Sequence, residues 1–260
     1  MVSTTTSYLA VSANLARSQQ ITAADPTVKR QTAYFLANIG KVKSVSDFVN
    51  NYQLFSYAMK AFGLADMTYA KGFMTKLLDG GVTDKSALAN TLNDPRYKAF
   101  AAAFDFADFG AAATMTPAAT TDVATKYVQQ ALEDAQGKQN TGVELALYFK
   151  RMAPTVTSSY GLLADSALLK VVQTTFGISP YSANADVDAQ ARYLDKVLNI
   201  KDLQDPTKVD KLVQRFTAMW DASGNNTSAS STNVLLANNS SSLGLSSDLL
   251  MSLAGLKLGG

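Results

Sequence analysis

The sequence contains neither cysteine nor histidine in 260 residues. Without cysteine, the chain has no disulfide, no thiolate nucleophile and no cysteine-bound zinc. Without histidine, it has no Ser-His-Asp triad, no imidazole metal ligand and no side chain that ordinarily titrates near neutral pH. The two absences together remove most common enzyme chemistries, and we therefore expect a protein without cofactor or metal.

Long apolar runs and a strong net charge are also missing. No apolar run approaches the ~20 residues that a bilayer requires, and residues 1–20 lack the basic start and continuous apolar core of a signal peptide. The formal net charge of +2 is too small to attract nucleic acid or an anionic membrane. We therefore predict no nucleic-acid partner, no membrane insertion, and a protein that is either cytoplasmic or exported without a cleaved signal.

Helical signals fill most of the chain. Asp25-Pro26, Asp94-Pro95 and Asp205-Pro206 each place an N-cap residue before a proline at the first helical position. Period-two alternation is scarce, whereas apolar residues recur at helical spacing. One such face consists of Phe48, Val49, Tyr52, Phe55, Met59 and Phe62. The predicted fold class is all-α, a multi-helix orthogonal bundle with flexible terminal segments.

Two parts of the chain share an order of motifs, which is typical of an internal repeat. Three anchors keep their order: residues 54–64 with 168–178, residues 73–78 with 193–198, and Asp94-Pro95 with Asp205-Pro206. Any two amphipathic helices align loosely, and chance is therefore the alternative. The conserved order of three anchors favours two related helical units over that alternative.

Composition divides the chain into five segments. Residues 111–121 are rich in alanine and threonine, and residues 223–242 are rich in serine and asparagine without any charge. A segment of the second kind cannot bury enough apolar surface to fold alone. The predicted division is a flexible N-terminal segment (1–24), a first helical unit (25–110), a linker with a connecting helix (111–140), a second helical unit (141–221), and a Ser/Asn-rich linker with a short apolar C-terminal helix (222–260).

The apolar stripes at the two ends are the predicted partner-binding sites. The C-terminal stripe consists of Leu245, Leu249, Leu250, Leu253 and Leu256. A weaker N-terminal stripe consists of Tyr8, Leu9, Val11 and Leu15. A tethered amphipathic helix either folds back over its own body or docks into another protein, and both alternatives remain open for the C-terminal stripe. For the N-terminal stripe, the alternative is an ordinary fraying terminus.

Neighbouring carboxylates are the main acid–base groups that remain. The pairs are Asp105 with Asp108, Glu133 with Asp134, and Asp186 with Asp188. Glycosidase chemistry requires two carboxylates that converge across a cleft, and no EF-hand pattern surrounds Asp186. Helix caps and solvated helix faces explain these residues well, and a carboxylate-dependent enzyme is therefore the least favoured alternative.

Several motifs resemble a bacterial domain-of-unknown-function family found chiefly in alphaproteobacteria. They are the repeated Phe-Gly-Leu/Ile stop, Asp-Pro-Arg-Tyr-x-x-Phe at residues 94–100, and Tyr-Leu-Asp-Lys-Val-Leu at residues 193–198. The resemblance covers residues 30–221. Members are helical, sometimes duplicated and associated with flagellar genes, and the shared motifs are structural, so the resemblance implies no catalytic residue.

The resemblance implies a non-enzymatic structural or assembly protein of the flagellum. Such a protein would act through contacts with other proteins, among them flagellar components, and would lie in the flagellum or be exported. The alternative is a cytoplasmic helical adaptor or regulator of flagellar export.

Overall fold

Short polar side chains begin most of the helices in this computed structural model, which describes residues 2–179 and 186–224. Asp25 accepts a hydrogen bond of 3.1 Å from the amide of Val28, and Asp94 and Asp205 cap their helices in the same way ahead of a proline. The three predicted Asp-Pro helix starts are therefore confirmed. The reason is local, because an N-cap oxygen satisfies amides that the first turn leaves unpaired.

The described residues form helices and no strand, which confirms the predicted all-α class. The α-helices are α1 (Thr4–Ser12), α2 (Leu15–Ala24), α3 (Pro26–Asn38), α4 (Val45–Asn50), α5 (Tyr52–Ala61), α6 (Lys71–Gly80), α7 (Leu88–Thr91), α8 (Pro95–Ala103), α9 (Phe106–Phe109), α10 (Thr121–Gly137), α11 (Thr141–Met152), α12 (Ser159–Ala164), α13 (Ser166–Phe176), α14 (Val187–Val197) and α15 (Pro206–Ala222). Short 3₁₀ helices lie at Ile39–Lys41, Ala65–Met67, Gly110–Met115, Ala153–Thr155 and Ile200–Gln204.

A first hydrophobic cluster, drawn from residues 28–131, is built around phenylalanine rings. The ring of Phe48 lies 4.5 Å from that of Phe104 and 5.7 Å from that of Phe55, and Phe100 lies 5.3 Å from Phe62. All five rings are buried. Each contributes roughly 1.5–3 kcal/mol by leaving water, so these contacts hold α4, α5 and α8 together.

A second hydrophobic cluster gathers residues between 143 and 220, together with Tyr8. Phe149 of α11 and Phe216 of α15 are fully buried, and the ring of Phe216 lies 5.5 Å from that of Trp220. The long helix α10 packs against both α5 and α11. It therefore connects the elements that carry the two clusters.

Residues 4–24 correct one expectation, because they form two packed helices instead of a flexible segment. Helix α1 packs against α11 and α15, and α2 packs against α3 and α10. Thr4 and Tyr8 are buried. The serine- and threonine-rich start is thus ordered by contacts with distant parts of the chain.

Two runs of helices have caps of similar residue type in the same order. The first run has Ser44 before α4, Asn51 before α5 and Gly63 after it; the second has Ser158 before α12, Asp165 before α13 and Gly177 after it. Both glycines have positive φ, 70° and 65°, which favours glycine over other residues. Helix α10 packs on α3 and α5, and α15 packs on α11 and α13 in the same way. By its packing, α15 therefore corresponds to α10 and not to α8, the helix that begins at Asp94-Pro95.

Candidate partner-binding groove

The predicted N-terminal stripe does not form one exposed surface. Tyr8 is 4% exposed and Val11 packs partly buried beside the second cluster. Leu9 is 49% exposed, and Leu15 is half-buried at the start of α2. Tyr8 and Val11 therefore serve the chain's own core in this structure, and Leu9 alone of the four is open to solvent.

The predicted C-terminal stripe lies outside the described residues. Its members are Leu245, Leu249, Leu250, Leu253 and Leu256. Their partner-binding role stays a prediction.

The carboxylate of Asp221 holds the N-terminus of α1. It accepts hydrogen bonds from the amides of Thr4 at 2.8 Å and Thr5 at 3.1 Å, and from the Thr5 hydroxyl at 2.9 Å. Burial raises the pKa of Asp221, but these hydrogen bonds outweigh it and leave the pKa below its usual value. The carboxylate also lies at the positive end of the α1 dipole, where negative charge is stabilising.

Two of the three predicted carboxylate pairs contain a residue that caps a helix. Asp105 accepts a hydrogen bond from the Asp108 amide at the start of α9, and Asp108 accepts one from the Thr83 hydroxyl. Asp186 caps α14, and its neighbour Asp188 accepts a hydrogen bond of 2.8 Å from the Tyr160 hydroxyl. The described part of the chain contains no group of three acidic residues placed to hold a metal ion.

Glu133 belongs to a buried ion pair. Its carboxylate is wholly buried and accepts two hydrogen bonds from the Arg151 guanidinium, at 2.8 and 2.6 Å. Gln129 donates a further bond of 2.8 Å to it, and Gln19 donates one of 2.6 Å to Gln129. A buried charge persists only when paired in this way, and the network joins α2, α10 and α11.

A second buried network surrounds Arg96. The guanidinium donates to both carboxylate oxygens of Asp94 and, at 2.8 Å, to the carbonyl of Gly63. Tyr148 donates a hydrogen bond of 2.6 Å to Asp165, which also caps α13. Burial raises the pKa of Tyr148, so it remains a neutral donor. These partners tie α8 to α11 and α13, which is a structural use of the charges.

A groove of about 600 Å³ opens between α3, α5, α10 and the chain that leads into α6. We call it the tyrosine groove. Its lining residues are Gln31, Tyr52, Gln53, Ser56, Tyr57, Lys60, Ala65, Asp66, Thr68, Tyr69, Lys71 and Tyr127. Neither buried ion network contributes a side chain to this lining, which is aromatic and polar.

Stacked rings form the floor of the tyrosine groove. The ring of Tyr57 lies 3.8 Å from that of Tyr127 and 4.4 Å from that of Phe35, and both pairs are nearly parallel. The Tyr127 hydroxyl donates to the side-chain oxygen of Gln31. Lys60 lies over the Tyr127 ring at 5.6 Å. Burial raises the pKa of Tyr57 and Tyr127, so both phenols stay neutral.

Two exposed tyrosines form the rim of the tyrosine groove. Tyr52, at the start of α5, is 70% exposed, and Tyr69, before α6, is 81% exposed. Neither hydroxyl bonds to another described residue, and the same holds for the side chains of Gln53 and Lys71. The rim therefore offers aromatic surface and hydrogen-bond donors that the other described residues leave unused.

Sequence patterns did not reveal this groove. Tyr52 fits the apolar helical face that includes Phe48 and Phe55, yet it points to solvent while those two phenylalanines are buried. The residue type was the one local signal for the exposure of Tyr52. A tyrosine on an apolar helical face carries a hydroxyl group that needs a hydrogen-bond partner when it is buried. The contribution of Tyr127 and Tyr69 comes from distant segments, and no local spacing predicts it.

Comparison with known proteins assigns the family. Residues 61–209 match the family described as "Protein of unknown function (DUF1217)". The chain belongs to this family. It is also 48% identical to protein AGR_C_984 from Agrobacterium tumefaciens, whose crystal structure superposes with a TM-score of 0.77 over 86% of this chain and 97% of that chain. Among curated proteins, none matches.

These matches bear on the family resemblance inferred from the motifs. The resemblance to a bacterial family of unknown function is confirmed, and neither match mentions flagella. Along residues 2–179 and 186–224, no helix is long and apolar enough to cross a membrane.

Proposed function

We propose that this protein is a non-enzymatic structural or assembly protein of the bacterial flagellum that acts by binding other proteins. The tyrosine groove carries the protein-binding part of the proposal. Tyr52 and Tyr69 expose 70% and 81% of their surface at its rim. Tyrosine is enriched where proteins bind partners, because it offers a large rigid ring and one polar group at little entropic cost.

The surroundings of the carboxylates favour this function over an enzymatic one. Asp105 and Asp186, one from each of two predicted carboxylate pairs, cap α9 and α14. Glu133 is neutralised by Arg151, and Asp94 by Arg96. General acid–base catalysis requires carboxyl groups that reach a substrate, and these are engaged in holding helices.

The flagellar part of the proposal rests on the family resemblance. The motifs at residues 94–100 and 193–198 resemble those of a family associated with flagellar genes, and both lie within residues 61–209, which match a family of unknown function. The alternative is a cytoplasmic adaptor or regulator of flagellar export. Both versions bind proteins, and they differ in where the protein is found.

Fractionation of a motile culture tests the location. An epitope would be inserted among residues 225–242, and the wild type compared with a strain that lacks flagellar export. We expect the protein in the shed flagella or medium only when export works. Retention in the cytoplasm of both strains would overturn the structural role and favour the adaptor.

Alanine variants test the groove as a protein-binding surface. We expect Tyr52→Ala/Tyr69→Ala to reduce motility and to remove partners captured by crosslinking in cells. Tyr193→Ala is the matched control, because Tyr193 is 48% exposed on α14, outside the groove. Unchanged motility and unchanged crosslinks in the double variant would refute this use of the groove.

We also propose that the two runs of helices arose by duplication. The shared order of caps, from Ser44 to Gly63 and from Ser158 to Gly177, supports it. Tyr57 of the groove floor has no tyrosine as its counterpart in the second run, because Val171 of α13 stands in its place. If the duplication is real, the groove is a feature that only one copy carries.

A further inference from the structure

We infer that this chain assembles with a second copy of itself by exchanging helix α1. In the exchanged state, α1 of each copy lies on α11 and α15 of the other, on the surface that each chain's own α1 covers in this structure. The inference rests on the proposed function, which it deepens by naming a second copy as a partner. It follows from the way in which the chain is interrupted between α1 and α2.

Residues 4–24 have the pattern of one helix, although they fold as two. A series of buried or half-buried residues recurs at alternating steps of four and three: Thr4, Tyr8, Val11, Leu15, Ser18 and Thr22. This spacing places them on one stripe of a continuous helix, and the stripe keeps its phase across the break. Residues 2–24 contain neither glycine nor proline. The residue types that commonly interrupt a helix are therefore missing at the break.

Only one residue between the two helices departs from helical backbone angles. Ala13 has φ −61° and ψ −26°, whereas Asn14 has φ −139° and ψ 58°. The Asn14 side chain caps α2 by accepting a hydrogen bond of 3.3 Å from the Arg17 amide. Ala13 and Asn14 are both exposed, so packing of their own side chains does not hold the bend. Rotation of the Asn14 backbone to helical angles would join α1 and α2 into one straight helix.

The contacts that hold α1 can form equally well between two copies. Helix α1 packs mainly on α11 and α15, and less on α2. Besides the bonds from Thr4 and Thr5 to Asp221, the Asn140 amide donates a hydrogen bond of 3.0 Å to the Thr4 hydroxyl. A second copy offers the same partners, so exchange replaces each contact by an identical one. This equality is what makes domain swapping a low-cost route to a dimer.

Helix α2 stays on its own body during the exchange. It packs on α3 and α10, and Gln19 donates a hydrogen bond of 2.6 Å to Gln129. A straight helix would continue along the α2 axis and carry Tyr8 roughly 10 Å beyond Leu15, at 1.5 Å per residue. Because α1 leaves that axis at Asn14 in this structure, straightening takes it off its own α11 and α15. A two-fold pair satisfies both chains, since each gives one α1 and receives one.

Variants of Asn14 in the full chain test the inference. Asn14→Ala removes the cap of α2 in the bent state and raises the helix propensity of the straight state. We expect it to lower the dissociation constant of the dimer, measured by analytical ultracentrifugation, by roughly tenfold for each hinge and about a hundredfold for two hinges. Asn14→Asp is the matched control, because it keeps the cap and adds a charge that favours the start of α2. It should dimerise no more than the wild type.

Crosslinking identifies the exchanged helix. The chain has no cysteine, so introduced cysteines are its only thiols. Val2 and Ala222 are exposed and lie beside the contact between Thr4 and Asp221. Chains with Val2→Cys and chains with Ala222→Cys, all carrying Asn14→Ala, would be unfolded in urea and refolded together. We expect a bismaleimide to join one kind of chain to the other.

Three outcomes would overturn the inference. One is an Asn14→Ala chain that stays monomeric at every concentration at which it is soluble. Another is a dimer with the same dissociation constant in Asn14→Ala and Asn14→Asp, which would not depend on the hinge. The third is a dimer without crosslinks between the two kinds of chain, which would place the contact on another surface.

Failure of the inference differs from failure of the proposed function. The exchange is measured on the purified chain, whereas location, motility and partner crosslinks are measured in cells. A monomeric Asn14→Ala chain, together with loss of partner crosslinks in Tyr52→Ala/Tyr69→Ala, would leave the proposed function standing and overturn the exchange. A hinge-dependent dimer of a protein that stays in the cytoplasm would leave the exchange standing and overturn the structural role.

Discussion

Nη2 of Arg151 lies 2.6 Å from Oε2 of Glu133, a carboxylate with no exposed surface, and this pair joins α11 to α10. Removal of one partner leaves a buried charge without compensation. We therefore expect Glu133→Gln to lower the free energy of unfolding by about 3–5 kcal/mol. Urea unfolding followed by circular dichroism measures this change.

Two further variants separate the ion pair from general damage. Glu133→Gln/Arg151→Met should cost less than the sum of the single changes, since it leaves no unpaired charge. Lys208→Met breaks the exposed pair with Asp202 and should have no measurable effect. Strict additivity of the two buried changes would contradict the pairing.

Gly142 at the start of α11 lies under Trp220 and Thr4. A Cβ atom there would lie 2.6 Å from the Trp220 ring and 2.7 Å from the Thr4 methyl group. Because both neighbours are buried, we expect Gly142→Ala to destabilise the fold by about 1–3 kcal/mol. Gly72→Ala in α6 is the control: its Cβ meets nothing within 4 Å, and it should be neutral or slightly stabilising. Melting temperatures of the two variants, measured side by side, test the expected loss of stability.

Asp221 should control whether α1 stays docked. Asp221→Ala removes the acceptor for the amides of Thr4 and Thr5, so we expect faster amide hydrogen exchange throughout α1 and little change in α5. The lowered pKa of Asp221 gives the sign of the pH effect. Its contribution to stability is present above the usual carboxyl pKa and is lost as the pH falls through the lower folded value. Exchange in α1 that is equal in the wild type and the variant would show that Asp221 does not hold the helix.

The sequence predicted the features that depend on neighbours along the chain. The caps at Asp25, Asp94 and Asp205 are examples, because the cap and the amides it binds lie within one turn. It did not predict the docking of α1. The partner of Thr4 is Asp221, 217 residues away, and serine- and threonine-rich composition gives no sign of such a contact.

The proposed repeat shows the same limit. Its first anchor involves contiguous helices, and the caps of α5 and α13 agree with it. The third anchor matched the Asp-Pro pair before α8 with the Asp-Pro pair before α15. In the structure, however, α15 packs on its run of helices as α10 packs on the other run, whereas α8 packs differently. The same local motif can begin helices in different places, because only packing decides which element faces which neighbour.

Glu144 makes stability depend on pH in the opposite sense to Asp221. Its carboxyl packs against the backbone of Gly137, at the end of α10, and a Cβ on that glycine would overlap it. Burial, with the nearby charges of Asp134 and Glu133, raises the pKa of Glu144 to about 7. The folded protein therefore keeps a proton that the unfolded chain releases. Stability from this group is full below about pH 4.5 and is lost as the pH rises towards 7.

Glu144→Gln imitates the protonated carboxyl and should remove this dependence. We expect the variant to be more stable than the wild type at pH 8, by about 2–3 kcal/mol, and equal to it at pH 4. Unfolding by urea across this range measures the difference, with Asp79→Asn, an exposed carboxyl on α6, as the control. A constant difference at all pH values would mean that packing, not the proton on Glu144, accounts for the change. A lower stability at pH 8 would show that the ionised carboxylate has a favourable partner.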